Sequence, residues 1–188
     1  IDHALQANII RIDEFAGYWE YVLDKAIYTS PPHPQWGGAA IFNGRGHIIG
    51  IGSLFLQEIY EGQDKQGNLV IPTHLLAPIM EDLLEYGRSL SPARPWLGVY
   101  TIESEGKLFV SSLARFGPGE IEGVLKGDQI IGIGEINDSG LANFFRTVWS
   151  LGSAGVSVPL RILREGNRLD LVINSIDRNE FLIKPQTH

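Results

Sequence analysis

The chain has 188 residues, no cysteine and a net charge of −7. That length admits one medium domain or two small ones, and the acidic balance leaves no basic surface to neutralise phosphates, which argues against nucleic acid as a partner. The lack of cysteine excludes disulfides, thiolate catalysis and thiolate-bound zinc but leaves the compartment open, while 44% hydrophobic against 20% charged residues describes a chain able to bury a core. The longest weakly polar stretch, Ile48 to Leu56, is far shorter than the roughly 20 residues of a spanning helix, so no membrane span is expected. The first residue is Ile, with neither a basic nor an apolar leader behind it, which suggests a trimmed or truncated chain.

Taken in chain order, Tyr18 to Tyr28 fits two periods. Phe15, Tyr18, Trp19, Val22 and Leu23 suit a helix, whereas Trp19, Tyr21 and Leu23 alternate as in a strand. Ile41, Phe42, Ile48, Ile49 and Ile51 flank Asn43–Gly44–Arg45–Gly46, a turn signal that predicts a β-hairpin. Leu75, Leu76, Ile79, Met80, Leu83 and Leu84 recur at helical spacing, with Thr73 as N-cap, Pro78 bending the first turns and Gly87 as the stop. Ser89 to Pro95 is small, polar and proline-interrupted, and the domain boundary is expected there. Beyond it, Ser139 is the expected N-cap of a helix carrying Leu141, Phe144, Phe145 and Val148 on one face and ending at Gly152. Val158, Leu160 and Ile162, then a turn at Glu165–Gly166–Asn167, then Leu169, Leu171 and Ile173 predict a hairpin buried on one face. His33, His47 and His74 lack metal-ligand spacing. Gly50–Ile51–Gly52 and Gly132–Ile133–Gly134 begin like dinucleotide fingerprints but lack the third glycine. No cofactor is expected.

The segment Trp36–Gly37–Gly38–Ala39–Ala40–Ile41–Phe42–Asn43, followed by Gly46–His47–Ile48–Ile49–Gly50–Ile51, resembles the nucleophile region of HtrA/Deg proteases. Those are trypsin-like serine proteases that carry PDZ domains. Leu23–Asp24–Lys25–Ala26–Ile27 is similar to the strand that precedes the site in that family and tips Glu20 to Tyr28 toward strand. Val70–Ile71–Pro72–Thr73 and the helix to Gly87 resemble the segment closing the protease domain. The resemblance puts Gly37 at the nucleophile position and Gln35 at the second oxyanion-hole position. Acyl transfer needs a hydroxyl activated by histidine, with backbone N–H groups aimed at the oxyanion. Gly37 has no hydroxyl. Ser30 and Ser53 lie on no glycine-flanked elbow, and Ser30–Pro31–Pro32–His33–Pro34 makes the preceding connection longer than in the family. The family's His and Asp would precede Ile1.

Four segments of the second half resemble PDZ motifs in the family's order. Trp96–Leu97–Gly98–Val99 is similar to the carboxylate-binding loop and Gly117–Pro118–Gly119 to a Ser-Pro-Ala segment. Val124 to Ile131 resembles the Leu-x-x-Gly-Asp-x-Ile turn and strand, and Leu160 to Gly166 the late strand ending in Arg-x-Gly. The resemblance implies a mainly β protein: the C-terminal barrel portion of a trypsin-like protease over residues 1–91 and a PDZ domain over residues 92–188. It implies binding of apolar or C-terminal peptide segments, or unfolded protein segments. Trp96, Leu97, Gly98, Val99 and Tyr100 would form one side of the groove, with Phe144 and Val148 as pocket residues on the helix. That helix face is equally explained by core packing. Without a nucleophile at Gly37 the chain is expected to be a pseudo-protease. The alternative is a serine endopeptidase of protein quality control, active when complete. The family further implies a periplasmic or cell-envelope location and leaves a homo-oligomer open.

Overall fold

The computed structural model describes residues 4–58, 65–137 and 140–182. It divides into two compact units, one of residues 1–15 and 23–90, the other of residues 16–22 and 91–188. Both are built mainly of antiparallel strands, in keeping with the expected mainly β class.

The first unit is organised by a five-stranded sheet in the order β1-β2-β5-β4-β3. The strands are β1 Asn8–Gly17, β2 Tyr21–Ser30, β3 Ala40–Phe42, β4 Ile48–Leu56 and β5 Gly67–Pro72. The Tyr18–Tyr28 ambiguity resolves to a turn over Tyr18, Trp19 and Glu20 and to strand from Tyr21. On β2, Ala26, Ile27 and Tyr28 are buried, and on β5 Leu69 and Val70 are fully buried. The expected hairpin around Asn43 is present: the Asn43 Oδ1 accepts from the N–H groups of Arg45 and His47, so one side chain organises the turn between β3 and β4.

The helix expected from Leu75 starts later. Thr73–Leu75 and Ala77–Ile79 form separate 3-10 turns, and the α-helix α1 spans only Met80–Tyr86. Two prolines account for the difference. Pro72 occupies the cap position of the first turn and Pro78 is the second residue of the next, and neither can donate a helical hydrogen bond. Thr73 caps nothing. Its hydroxyl donates to the Ile48 carbonyl at 3.2 Å instead. Gly87 ends α1 as expected, in the left-handed conformation at φ 69° with its N–H on the Leu83 carbonyl.

In the second unit the sheet order is β11-β10-β8-β7-β6. The strands are β6 Val99–Ser104, β7 Lys107–Leu113, β8 Gln129–Ile133, β10 Ser157–Arg164 and β11 Asn167–Asn174, with β9 Ile136–Asn137 paired to β8. The short helix α2 covers Pro118–Ile121, α3 Leu141–Ser150 and α4 Arg178–Phe181. The expected cap Ser139 lies outside the described residues. Val158, Leu160 and Ile162 of β10 are fully buried and meet Val99, Leu108, Val110, Val124, Ile130, Phe145 and Val148 in one apolar core. Alternation along β10 and β11 is thus the one-sided burial expected of them.

Candidate functional site

The first candidate site surrounds Gly37. A cavity of about 1020 Å³ is lined by Gln35, Gly37, Gly38, Ala39, His33 and Asn68 together with residues near the start of the chain. The strand-like backbone on either side is pinned: Gly38 N–H donates to the Gly52 carbonyl at 2.9 Å, and Gly52 N–H to the Ala39 carbonyl at 2.8 Å. A Cβ built on Gly37 would meet no atom within 4 Å, so the position expected from sequence to hold a nucleophile has room for a side chain. Gln35 N–H, the other expected oxyanion donor, is committed to the His33 Nδ1 at 3.0 Å. His33 is held in turn by Asn68 of β5, a buried residue whose Oδ1 accepts from the His33 N–H at 2.7 Å. Sequence reading missed Asn68, since no local signal ties it to a segment 35 residues earlier. Ser30 points its hydroxyl at the Gln66 carbonyl. Among the described residues no cluster of three metal-ligating side chains occurs.

The second candidate site is the turn that opens β6. Leu97 and Val99 send their side chains into the core, at 3% and 1% exposure, so the backbone between them carries the chemistry. The carbonyls of this loop are spoken for: Leu97 O accepts from Gly119 N–H and Gly98 O from Ala114 N–H, both at 2.8 Å. The loop is thereby clamped to α2 and to the end of β7 with its N–H groups facing the other way. Gly98 sits at φ 68°, where any side chain is strained, and a Cβ there would lie 3.2 Å from Ala114 Cβ and 3.3 Å from the Trp96 ring. Glycine is required by the loop's own conformation, besides any approach by a ligand.

Both N–H groups have a partner. The backbone N–H groups of Leu97 and Gly98 donate to the side-chain carboxyl of Glu20, which belongs to the 16–22 segment of this unit. Burial pushes that carboxyl up to about 8, against the opposing pull of the Leu97 N–H, the Arg178 charge and the Gly98 N–H. Glu20 was not among the residues expected from sequence.

The remaining expected residues divide by depth. Trp96 is buried, exchanges backbone hydrogen bonds with Ile176 at 3.1 Å and packs on Phe181 at 4.7 Å between ring centroids. Tyr100, next along β6, is half-buried. Phe144 and Val148 are buried at 2% and 3% inside the core. The β6 strand lies at the end of the described sheet order, and α3 is tied to it by Glu103, whose Oε2 accepts from the Leu141 N–H at 3.2 Å. A carboxylate supplied from the strand therefore caps the helix. In the turn before β8, Asp128 at 2% exposure accepts from Leu125 N–H and takes both Nε and Nη2 of Arg164 at 2.7 Å. This is the physical content of the Gly-Asp turn and the late Arg: one buried carboxylate joins the turn before β8 to the end of β10.

No protein-family model matches the chain and no curated protein matches it by sequence. Solved structures do. The chain is similar to the HtrA-type protease AlgW with decapeptide, at 24% identity and a TM-score of 0.51 over 82% of this chain and 50% of that one. It is likewise similar to AlgW with tripeptide, at 23% identity and a TM-score of 0.50 over 81% of this chain and 53% of that one. A variant form of AlgW with decapeptide matches over 88% of this chain at 22% identity and a TM-score of 0.51. The fold is that of HtrA-type proteases. The chain spans about half the length of the structures it matches.

Proposed function

We propose that residues 92–188 form a PDZ domain that binds apolar or C-terminal peptide segments, and that residues 1–91 are the C-terminal barrel portion of a trypsin-like protease domain without proteolytic activity. The observation that carries the first half is the Leu97–Gly98 loop, whose carbonyls are clamped from behind while its N–H groups meet a carboxyl group. Those donors suit a terminal carboxylate, and β6 offers an edge along which an extended peptide adds as a further strand. AlgW, of the same fold, has been solved with a decapeptide and with a tripeptide, which favours the same ligand class here.

The second half rests on Gly37, which brings no hydroxyl to the nucleophile position, and on Gln35, whose N–H is turned to His33 rather than to the cavity. Loss of a catalytic serine removes several orders of magnitude in rate, so turnover of peptide by this chain should lie at background. Two measurements test the reading. Peptides with free apolar C termini should bind more tightly than their amidated forms, and equal affinity would sink the carboxylate-loop assignment. A fluorophosphonate probe should label no serine, and stoichiometric labelling of one would restore the protease reading.

A further inference from the structure

The turn joining β1 to β2 has three residues, Tyr18, Trp19 and Glu20, between the strand ends Gly17 and Tyr21. Glu20 holds φ 63°, a left-handed conformation that such a turn normally assigns to glycine or asparagine. Glu105 and Glu165 hold φ 52° in other hairpin turns, so what sets Glu20 apart is what its carboxyl touches. The turn is stiffened from within. The Trp19 and Tyr21 rings stack at 6.0 Å, and Trp19 lies so close over Gly17 that a Cβ there would meet the indole at 2.9 Å. It is also seated on the peptide-binding unit. Val22 packs against the second unit's core, the Tyr18 ring meets the Tyr100 ring of β6 edge-on at 6.4 Å, and the Glu20 carboxyl takes the N–H groups of Leu97 and Gly98. Among the described residues, the charge that acts on that carboxyl is Arg178 of α4.

We propose that this turn is an internal ligand of the carboxylate loop: Glu20 occupies the place of a peptide's terminal carboxyl, and Tyr18 covers the start of β6, so a peptide must displace the turn to bind. The inference rests on the peptide-binding reading above and adds its regulation. Three features make the competition effective. The internal carboxyl occupies the same two donors a terminal carboxylate needs. It is tethered, so it competes at the high effective concentration of an intramolecular group. And the stacked, short turn has little freedom to lose on docking, which removes the ordering cost that a free peptide bears.

The test uses the full chain and two substitutions. Glu20→Gly removes the carboxyl and suits the left-handed turn, so the fold should hold. Glu20→Gln keeps a carbonyl acceptor for the two N–H groups and should stay docked. Two readouts are needed: hydrogen exchange of the Leu97 and Gly98 amides, and anisotropy titration with a decapeptide pool ending in free Val, Leu or Phe. The expected result is that Glu20→Gly exposes both amides to exchange and tightens peptide binding at least ten-fold, while Glu20→Gln does neither. If both amides remain protected in Glu20→Gly, or if it binds the pool no better than the original chain, the internal ligand is refuted although peptide binding itself stands. If the amides are released and still no peptide binds, the peptide-binding reading falls, and the occlusion proposal with it.

Discussion

The two candidate sites are both glycine-containing backbone turns, and their N–H groups are engaged in different ways. At Gly37 the turn has space for a side chain, and the neighbouring Gln35 N–H is spent on His33. At Gly98 the turn keeps both donors, and a carboxyl from elsewhere in the same unit fills them. The lesson is that a motif specifies where donors are presented. Which partner takes them is decided by distant residues: Asn68, which fixes His33, and Glu20, 77 positions before Leu97.

The sharpest way to break the comparison is to disturb the unit that carries the second turn and leave the other alone. Asp128→Ala leaves the Leu125 N–H without its acceptor and deletes a buried carboxylate that holds both nitrogens of one Arg164 fork. Breaking a buried pair costs about 3–5 kcal/mol. Because the Arg164 side chain keeps 28% exposure and can recover water, the lower end, about 3 kcal/mol, is expected. Chemical denaturation followed separately in each unit should place this loss in the second and leave the first unchanged. A loss shared equally would mean the two turns do not rest on independent frames.

A smaller effect follows from the Glu20 titration. The docked carboxyl titrates at about 8 and an undocked one near its ordinary 4.5, so between these values docking retains a proton that undocking releases. Because the docked value is the raised one, the stabilisation of the docked turn is complete below about 4.5 and is lost as pH rises toward 8. Peptide affinity should therefore increase with pH across that window, by at most ~10-fold per unit, and level off above it. A free peptide carboxyl, titrating at ~3.5, is ionised across that window, and any proton it takes up on entering the same buried place is subtracted from the one that Glu20 releases. Calorimetry in buffers of different ionisation enthalpy should find a net release of at most about one proton per peptide at neutral pH. Glu20→Gln should flatten the profile, and a profile as steep as the original would assign the dependence to another group.

Smaller still is the effect of Glu103→Ala, which takes the cap from α3. Loss of an N-terminal cap costs ~1 kcal/mol, and thermal unfolding of the second unit should register it. How much of this could be read from sequence depends on range. The hairpins at Asn43 and Gly166 were readable because turn chemistry and strand alternation act over a few residues. The start of α1 is not legible because the apolar spacing from Leu75 continues through Pro78, where the helical backbone is interrupted. Leu97, Gly98 and Val99 were recognisable as a loop before a strand, yet their buried side chains and engaged N–H groups are tertiary facts. Phe144 and Val148 illustrate the same limit, since one apolar helix face predicts core and pocket alike.

The smallest expected effect concerns Gly37→Ser, which supplies the missing hydroxyl to the first turn. Steric cost should be slight: the position is exposed, its backbone lies outside the left-handed range, and nothing stands within 4 Å of the added Cβ. Stability should change by no more than ~0.5 kcal/mol. Chemistry should change as little, because a serine hydroxyl becomes a nucleophile only when a base takes its proton. Among the described residues lining the cavity, His33 is the one histidine, and its Nδ1 lone pair is already engaged by the Gln35 N–H. Neutral imidazole with Nδ1 as acceptor carries its proton on Nε2, so neither nitrogen is free to act as base while that bond holds. The Gln35 N–H, drawn into the same bond, is likewise withheld from any oxyanion. Restoring the side chain without the supporting groups thus leaves a turn that is structurally whole and chemically inert. Peptide hydrolysis and fluorophosphonate labelling should both stay at background after Gly37→Ser. Labelling at position 37 would show that a base reaches the cavity after all, and the contrast between an abandoned turn and an occupied one would fail at its first term.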